Sequence, residues 1–403
     1  MLTLALRNVF RHRVRTTITL AAIVFGVVGL ILSGGFVQDI FLQLGEAIIH
    51  SQSGHLQVAK TGFQAEGTRK PDLYLMQNPE RLKARIAALP GVTEVMARVS
   101  FSGLLNNGRS DVAIIGEGIE PEPEAQLGTY MKVVAGRRLA ANDLNGIMLG
   151  QGVAQALKLG PGDPATLVMS TTAGATNTLD VEVAGVFQTF SKDYDAHAIR
   201  VPLAAAHEAM DNQGVNTIVV SLAQTHDTHD IATLLRAQLA NEGLEVWTWE
   251  ELNDFYDKTV KLYDQQFGVL RLIVLAMVLL SVANSVNMSV FERVAEFGTM
   301  RALGNRSRTV FLLVTIETVF LGVIGASIGV IVGMVLAFAI SAIGIPMPPP
   351  PHADLGYTAR IQLVPSVIFG AFVVGVIATT FAGMFAALRV SRIPVVHALR
   401  QAI

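Results

Sequence analysis

Four long apolar runs set the pattern of the chain: residues 16–37, 270–290, 310–340 and 364–388. Each is long enough to cross a bilayer, which takes about 20 predominantly apolar residues. Between the first and second runs, from about residue 38 to 266, the pattern breaks into short mixed stretches. Apolar positions there alternate, or recur at helical spacing, over segments too short to span. The pattern predicts an α-helical membrane protein with four transmembrane helices and a large α/β (α+β) domain inserted between helices 1 and 2.

Helical periodicity continues at both edges of the insertion. Val37, Ile40, Phe41, Leu44, Ile48 and His50 extend it past the first run, and Leu252, Phe255, Tyr256, Val260, Tyr263 and Phe267 lead into the second. The expected arrangement is a stalk of two helices packed stripe to stripe, the alternative being two unrelated helices capping a soluble domain. Inside the insertion, residues 79–89, 153–159 and 228–239 read as helices, the second stopped by Gly160. Gly91 reads as a turn into a strand over 92–95, and 111–116, 179–187 and 216–221 read as further strands. Pro161, Gly162 and Asp163 make a turn.

Charge orients this frame. Arg7, Arg11, Arg13 and Arg15 precede the first run, and no acidic residue accompanies them. Leu2, Leu6, Val9 and Phe10 fall near one helical face, so residues 1–15 read as an interfacial segment. Arg293, Arg301, Arg306 and Arg308 lie between the second and third runs, and Arg389, Arg392 and Arg400 follow the fourth. The loop between the third and fourth holds only Arg360. The positive-inside rule therefore places both termini in the cytoplasm and makes the inserted domain extracytoplasmic. A basic flank before an apolar run also describes a secretory signal peptide. This run exceeds a signal core, so a retained anchor is expected.

Composition adds exclusions. A hydrophobic content of 51% is high for a soluble protein, and a net charge of -2 gives no bias toward nucleic acid. The chain has no cysteine, which excludes disulfides, thiol catalysis and cysteine-ligated metals. No G-x-x-x-x-G-K-[ST] phrase occurs, so ATP is not bound here through a P-loop, and no H-E-x-x-H occurs. No catalytic, cofactor-binding or metal residues are expected. His226 and His229 read as a solvated turn, since two imidazoles do not make a metal site. The stretch from Ser191 to His197 lacks EF-hand spacing and reads as a loop that could face a partner.

The wedge FERVAEFGTMRALGNRSRTVF, residues 291–311, carries the chemistry. Glu292, Arg293, Glu296 and Arg301 interleave with Val294, Phe297, Met300 and Leu303. That spacing suits an amphipathic helix lying on the membrane face, with Gly304 as its stop. Periodicity alone describes an ordinary cytoplasmic loop equally well. The wording is more specific: Arg293, Glu296, Phe297, Gly298, Arg301, Ala302, Leu303 and Gly304 spell R-x-x-E-F-G-x-x-R-A-L-G. In this the chain resembles the FtsX-like (MacB-type, type VII) permeases of ABC transporters. The opening phrase (Ala5, Arg7, Asn8, Arg11, Arg15, Thr16) and the closing one (Pro394, Ala398, Leu399, Arg400) extend the resemblance. So do Gly136, Leu139, Gly150, Val153, Ala154, Leu157, Gly162 and Asp163, with Val153 where leucine or isoleucine is expected. In layout the chain most resembles the lipoprotein-releasing permeases.

The resemblance implies a division of the chain. Residues 1–15 are interfacial, and 16–37 are the first span with its stalk reaching about 52. Residues 53–250 form the extracytoplasmic domain, and 251–290 are stalk and second span. Residues 291–309 are a coupling loop, 310–340 the third span, 341–363 a proline-rich outer loop, 364–388 the fourth span and 389–403 a tail. Within the coupling loop, Glu292, Arg293, Glu296, Phe297, Gly298, Arg301, Ala302, Leu303 and Gly304 are implied to dock on a separate ATPase, which holds the ATP and magnesium. The implied assembly is a permease homodimer with two ATPase copies in a bacterial inner membrane, working by mechanotransmission on a lipoprotein or other lipid-linked cargo. A periplasmic chaperone is a further implied partner. Drug or peptide efflux, regulation of a cell-wall hydrolase, and a sensor or scaffold without an ATPase are the alternatives.

Polar and small residues inside the spans complete the expectations. Asn284, Ser285 and Asn287 are read as hydrogen-bonding between helices. Gly322, Gly325, Gly329 and Gly333 are read as helix-packing positions, the last three on one face. Glu317 needs water, a partner or a proton. Pairing with a coupling-loop arginine is the simpler reading, and a proton relay the sharper one. Pro346 and the prolines from 348 to 351 end the third span.

Overall fold

The structure, a computed structural model, describes residues 13–67, 70–189, 191–348 and 356–391. The opening residues through Arg11, the prolines at 349–351 and the closing Arg392, Pro394, Ala398, Leu399 and Arg400 lie outside the described residues. So do the side chains of Arg13, Arg15 and Phe255.

Along the chain, helix α1 (Arg13–Ile48) ends in a π-helical turn, Ile49–Ser53, and leads into β1 (Leu56–Lys60). There follow α2 (Glu80–Ala87), β2 (Val92–Asn106), β3 (Asp111–Ile119), α3 (Pro121–Leu127), β4 (Lys132–Gly136), β5 (Gly146–Gly150) and α4 (Gln151–Leu157). Then come β6 (Pro164–Ser170), β7 (Thr176–Gln188), β8 (Ala198–Pro202), α5 (Leu203–Met210), β9 (Thr217–Leu222), α6 (Thr228–Leu239) and β10 (Leu244–Thr248). The chain closes with α7 (Asp254–Glu292), α8 (Val294–Ala302), α9 (Ser307–Ile343) and α10 (Pro365–Ser391). Among the described residues, four helical stretches are long and apolar enough to cross a membrane: Thr16–Ser53, Tyr256–Met288, Ser307–Ile343 and Pro365–Arg389. The protein is an α-helical membrane protein with a mixed α/β domain between its first and second spans.

The chain forms two compact units. One holds Met1–Phe41, Thr259–Pro346 and Thr358–Ile403; the other holds Leu42–Lys258 and Met347–Tyr357. The membrane unit is built on close helix approach. A Cβ on Gly325, Gly329 or Gly333 of α9 would meet Ile23, Val27 and Ile31 of α1 at 2.9, 2.8 and 3.0 Å. A four-residue glycine ridge thus faces a four-residue branched ridge, and only hydrogen fits between them. Gly322 instead faces Thr379 of α10, where a Cβ would stand at 3.1 Å. On α1, Gly26 leaves room for Val278 of α7. Gly325, Ser327 and Gly329 also spell G-x-S-x-G, but within an unbroken helix rather than on the strand-to-helix turn a nucleophile elbow needs. Asp39 of α1 is buried and accepts the Arg360 amide at 2.7 Å and the Gln362 side-chain amide at 2.8 Å, pinning the chain that enters α10.

The apolar stripes read as a stalk pack in both units. Phe41 lies against Tyr263 in the membrane unit, with ring centroids 6.3 Å apart. In the other unit, Leu44, Ile48, Ile49 and Trp249 form one buried cluster with Tyr256 against it. Trp249 follows Thr248, whose hydroxyl and Glu251 make a reciprocal cap for the helical turn Trp249–Leu252.

The inserted domain has two cores around one long strand. The N-terminal half of β2 pairs with β9, and the sheet continues through β1 to β10. Helices α2 and α6 supply Ile86, Leu235 and Leu239 to the core of this part. The C-terminal half of β2 pairs with β3 and with β6. Because β3 pairs with β8, β8 with β5, β5 with β7, and β7 with β6, these strands close a ring. Phe101, Leu105, Ile147, Leu149, Leu167, Val183 and Ile199 are among those filling it, with Val153, Ala154 and Leu157 of α4. The motif glycines are structural here. A Cβ on Gly136 would strike the Ala184 carbonyl at 2.3 Å, and one on Gly150 the Asp195 carbonyl at 2.4 Å.

Several local expectations change. The expected helix at 153–159 is α4, and it ends at Lys158, which takes the left-handed conformation (φ 54°) in place of the expected stop at Gly160. The expected strand at 92–95 is the beginning of the 15-residue β2. The stretch from Ser191 to His197 is no plain loop. Asp195 is buried and accepts the Thr189 amide and hydroxyl at 2.9 and 2.8 Å, and Tyr194 reaches inward to Glu117.

Candidate functional site at the junction of α7, α8 and α9

The wedge folds as expected in outline, with its polarity rearranged. Arg293 leaves helical geometry (φ -103°, ψ 9°) and breaks the chain between α7 and α8. Gly304, at φ +94°, follows the end of α8, where its amide bonds the Arg301 carbonyl at 3.1 Å. An L-residue would resist that backbone conformation.

Arg293 turns inward. Its Nη1 donates to Glu317 Oε2 at 2.7 Å and its Nε to Glu296 Oε2 at 3.1 Å. Its guanidinium also lies 5.0 Å from the Phe297 ring centroid. Val294 and Phe297 are buried, Phe297 in the core that includes Val286, Val310, Leu313 and Val314. The amphipathic reading placed Arg293 on the polar face and Leu303 on the apolar one. The structure reverses both: Arg293 is 8% exposed and Leu303 is 82% exposed. The reversal follows from Glu317. An acid one helix away in the spanning region needs a cation, and Arg293 supplies one by turning inward.

Of the predicted coupling residues, Arg293, Phe297 and Gly298 are buried, and Arg301 is half-buried. Glu292, Glu296, Ala302, Leu303 and Gly304 are exposed, as is the neighbouring Phe291. The segment therefore has an inner side fastened to α9 and an outer side that leaves a leucine uncovered. Among the span polar residues, Ser285 shares a short hydrogen bond with Thr19 of α1.

A second charged cluster lies inside the inserted domain, and the sequence reading missed it. Arg98 on β2 grips Glu124 on α3 through Nε and through Nη2, the latter at 2.9 Å, and its Nη1 reaches the Gln52 carbonyl. Arg200 on β8 is fully buried and donates to the Ser51 carbonyl at 3.1 Å, with Glu117 Oε2 at 3.3 Å from its Nε. The Tyr194 hydroxyl donates to the same Glu117 oxygen at 2.9 Å. The two guanidinium groups thus hold the π-helical turn that ends α1. Burial alone would raise the Glu117 carboxyl, but Arg98 and Arg200 overcome it and hold that carboxyl below its usual range. Burial pushes the Tyr194 phenol up. The carboxylates of the cluster are engaged by its guanidinium groups, so the arrangement works as a clamp on the turn. Long-range pairing gave no local signal by which to find it.

Beside it, Glu46, Thr225 and His55 make a chain. Thr225 donates to Glu46 at 2.5 Å, the His55 Nε2 lies 3.3 Å from the Thr225 hydroxyl, and the Leu222 amide donates to His55 Nδ1 at 3.1 Å. His55 is therefore the neutral tautomer with its proton on Nε2. Burial, with His50 beside it, pushes its pKa down to about 4. His226 and His229 are exposed and stand beside Asp227 and Glu250.

Comparison with known proteins agrees with this architecture. The family described as MacB-like periplasmic core domain matches residues 16–238, over half the chain, and FtsX-like permease C-terminal matches residues 268–395. The lipoprotein-releasing system transmembrane protein LolC of Neisseria meningitidis is 24% identical, over 81% of this chain and 78% of its own length. The macrolide export ATP-binding/permease protein MacB of Rhodospirillum rubrum is 26% identical, over 87% of this chain and 55% of its own. An uncharacterized ABC transporter permease of Methanocaldococcus jannaschii is 24% identical, over 49% of this chain and half its own length. Among solved structures, the periplasmic region of MacB from Actinobacillus actinomycetemcomitans aligns with a TM-score of 0.37 at 15% identity, covering 52% of this chain and 95% of that one.

Proposed function

The chain belongs to the family of ABC transporter permeases that carry a MacB-like periplasmic core domain and an FtsX-like C-terminal region, and on that premise we propose that it moves a lipoprotein or other lipid-linked cargo by mechanotransmission. In this reading two copies of the chain work with two copies of a separate ATPase, which binds ATP and magnesium. The membrane is a bacterial inner membrane, with both termini and α8 in the cytoplasm.

The observation that carries the reading is the fastening of α8. The Arg293–Glu317 bond ties the segment to the third span, while Leu303 stands uncovered on its outer side. A helix so held passes a push from a docked subunit directly into α9. Relatives named as lipoprotein-releasing proteins support the cargo. Macrolide export is the second reading, favoured by the match to a relative of that name over 87% of this chain.

Affinity purification from native membranes in mild detergent is expected to bring down an ATP-binding-cassette ATPase. Reconstituted with it in proteoliposomes, the chain is expected to release a lipid-anchored lipoprotein on addition of ATP. Transport of a macrolide without lipoprotein release moves the cargo to the second reading. Absence of any ATPase, where a control transporter keeps its own, defeats the permease mechanism proposed here.

A further inference from the structure

Where α1 ends inside the inserted domain, the neighbours of one histidine fix how many protons it carries. His50 lies in the π-helical turn Ile49–Ser53, about 20 Å of helix beyond the first apolar run. Its Nδ1 stands 3.2 Å from the Leu127 carbonyl oxygen at the end of α3, and its Nε2 stands 3.2 Å from Glu46 Oε2 on the last turn of α1. Both neighbours are acceptors. A neutral imidazole has one N–H, so it satisfies one of them and sets a lone pair against the other. The two contacts together require the imidazolium. Glu46 supports that form. Its carboxylate also accepts the Thr225 hydroxyl. Its hydrogen bond with His50 holds the carboxyl below its usual range, and holds His50 above the ordinary histidine value against the opposing effect of burial. The other groups around the turn are engaged elsewhere. His55 lies edge-on at 5.6 Å and, with a pKa of about 4, is neutral through the range above it. The Tyr130 ring stacks on His50 with centroids 6.0 Å apart. Arg98 and Arg200 hold the Gln52 and Ser51 carbonyls, with Glu124 and Glu117 as their partners. In the helical turn Trp249–Leu252, Glu250 stands beside His229 and Glu251 pairs with Arg236.

We propose that Glu46, His50 and the Leu127 carbonyl form a pH-operated latch: protonated His50 fastens the end of α1 to the end of α3, and loss of its proton on the alkaline side releases α3. The proton that leaves is the one on Nδ1, because the carboxylate keeps the one on Nε2. The Nδ1 lone pair then faces the Leu127 carbonyl oxygen, and the contact turns from attractive to repulsive. Residues 128–131 follow directly, and Arg138 holds their far side through the Gly128 and Met131 carbonyls at 2.7 and 3.3 Å, so the release is local. Arginine keeps its charge across the accessible range and histidine does not, so His50 is the contact of this turn that pH can open. A histidine held above its ordinary value stabilises the fold fully below about 6.5, and that contribution is lost as pH rises through the folded value. The side chains of His50 and Glu46 are 23 and 24% exposed, so the latch answers to the medium on the domain's side of the membrane.

Hydrogen exchange of the full chain in detergent, corrected for the intrinsic pH dependence of amide exchange, tests the latch. The Gly128 and Met131 amides, bonded to the Glu124 and Gly128 carbonyls, report on the released segment. Their protection is expected to fall about tenfold or more between about pH 6 and pH 9 in the parent. The same fall is expected in His226→Gln, which removes an exposed histidine outside the latch. In His50→Gln the protection is expected to stay level. In Glu46→Gln the midpoint of the fall is expected at lower pH, because the carboxylate that retains the proton is gone; a merely structural role for Glu46 would leave the midpoint in place. Level protection in the parent overturns the latch. So does a fall that persists in His50→Gln, or a midpoint unmoved in Glu46→Gln. If His50→Gln does not fold, the parent profile and the Glu46→Gln midpoint decide.

Discussion

Arg293 and Glu317, 24 positions apart and on separate helices, meet at 2.7 Å beneath α8. The pair answers the question raised by an acid inside a span: Glu317 is matched by a cation from the adjoining charged segment. The helical line breaks at Arg293 itself, the residue whose side chain makes this bond.

The pair is expected to be cooperative. Replacing one member leaves the other charge buried, which costs on the order of 3 kcal/mol. Arg293→Met and Glu317→Leu should each lower the melting temperature in detergent, and the double variant should recover most of the loss. A double variant as damaged as the sum of the singles would show that the two residues act independently.

Gly329 is the tightest point of the glycine stripe, since a Cβ there would stand 2.8 Å from Val27 Cβ. Overpacking at such a contact costs about 1–3 kcal/mol. Gly329→Ala should destabilise the protein by that amount, and adding Val27→Ala should restore part of it. Thermal unfolding of the two variants side by side decides whether Val27 is the obstacle.

His55 gives the inserted domain an acid-side limit. Its folded pKa, about 4, lies below the ordinary histidine value of 6.5. The unfolded chain therefore binds more protons between those values, and stability falls as pH drops from about 6.5 toward about 4. At about 1.4 kcal/mol per unit, the loss is on the order of 2–3 kcal/mol. In His55→Asn the amide oxygen can still accept the Leu222 N–H, and the side chain at this position no longer titrates. Its unfolding midpoint should fall less steeply than the parent's over that pH range, as followed by tryptophan fluorescence.

Arg200 is expected to hold the end of α1 in the inserted domain. Arg200→Met removes the donor to Ser51 and leaves the buried Glu117 with Arg98 and Tyr194 but without one of its two cations, a loss on the order of 3 kcal/mol. Hydrogen exchange should quicken first in the π-helical turn Ile49–Ser53. Protection unchanged there would mean that Arg98 alone secures the turn.

The sequence by itself determined the membrane architecture. A spanning helix must satisfy its backbone within about 20 consecutive residues, so the signal is local and survives reading one position at a time. The short helix ended by Gly304 was legible because its residues are contiguous, as was the four-residue spacing of Gly325, Gly329 and Gly333. Helix α6 was also legible, because its periodicity and length are contained in its own residues.

Only the tertiary structure decided what depends on partners far along the chain. β8, Ala198–Pro202, is wholly buried and contains an arginine, so no alternation marks it as a strand; Glu117 and the Ser51 carbonyl make Arg200 acceptable there. The ring closure through β6 needs the far half of β2, a pairing no local pattern encodes. Asp39 falls just past the first apolar run, and nothing near it in sequence shows that it is buried and hydrogen-bonded to a loop more than 300 residues later. Arg293 and Leu303 were assigned to the wrong sides because helical spacing predicts which residues share a face. Which face turns inward is settled by the charge waiting on the neighbouring helix, and here that charge is Glu317.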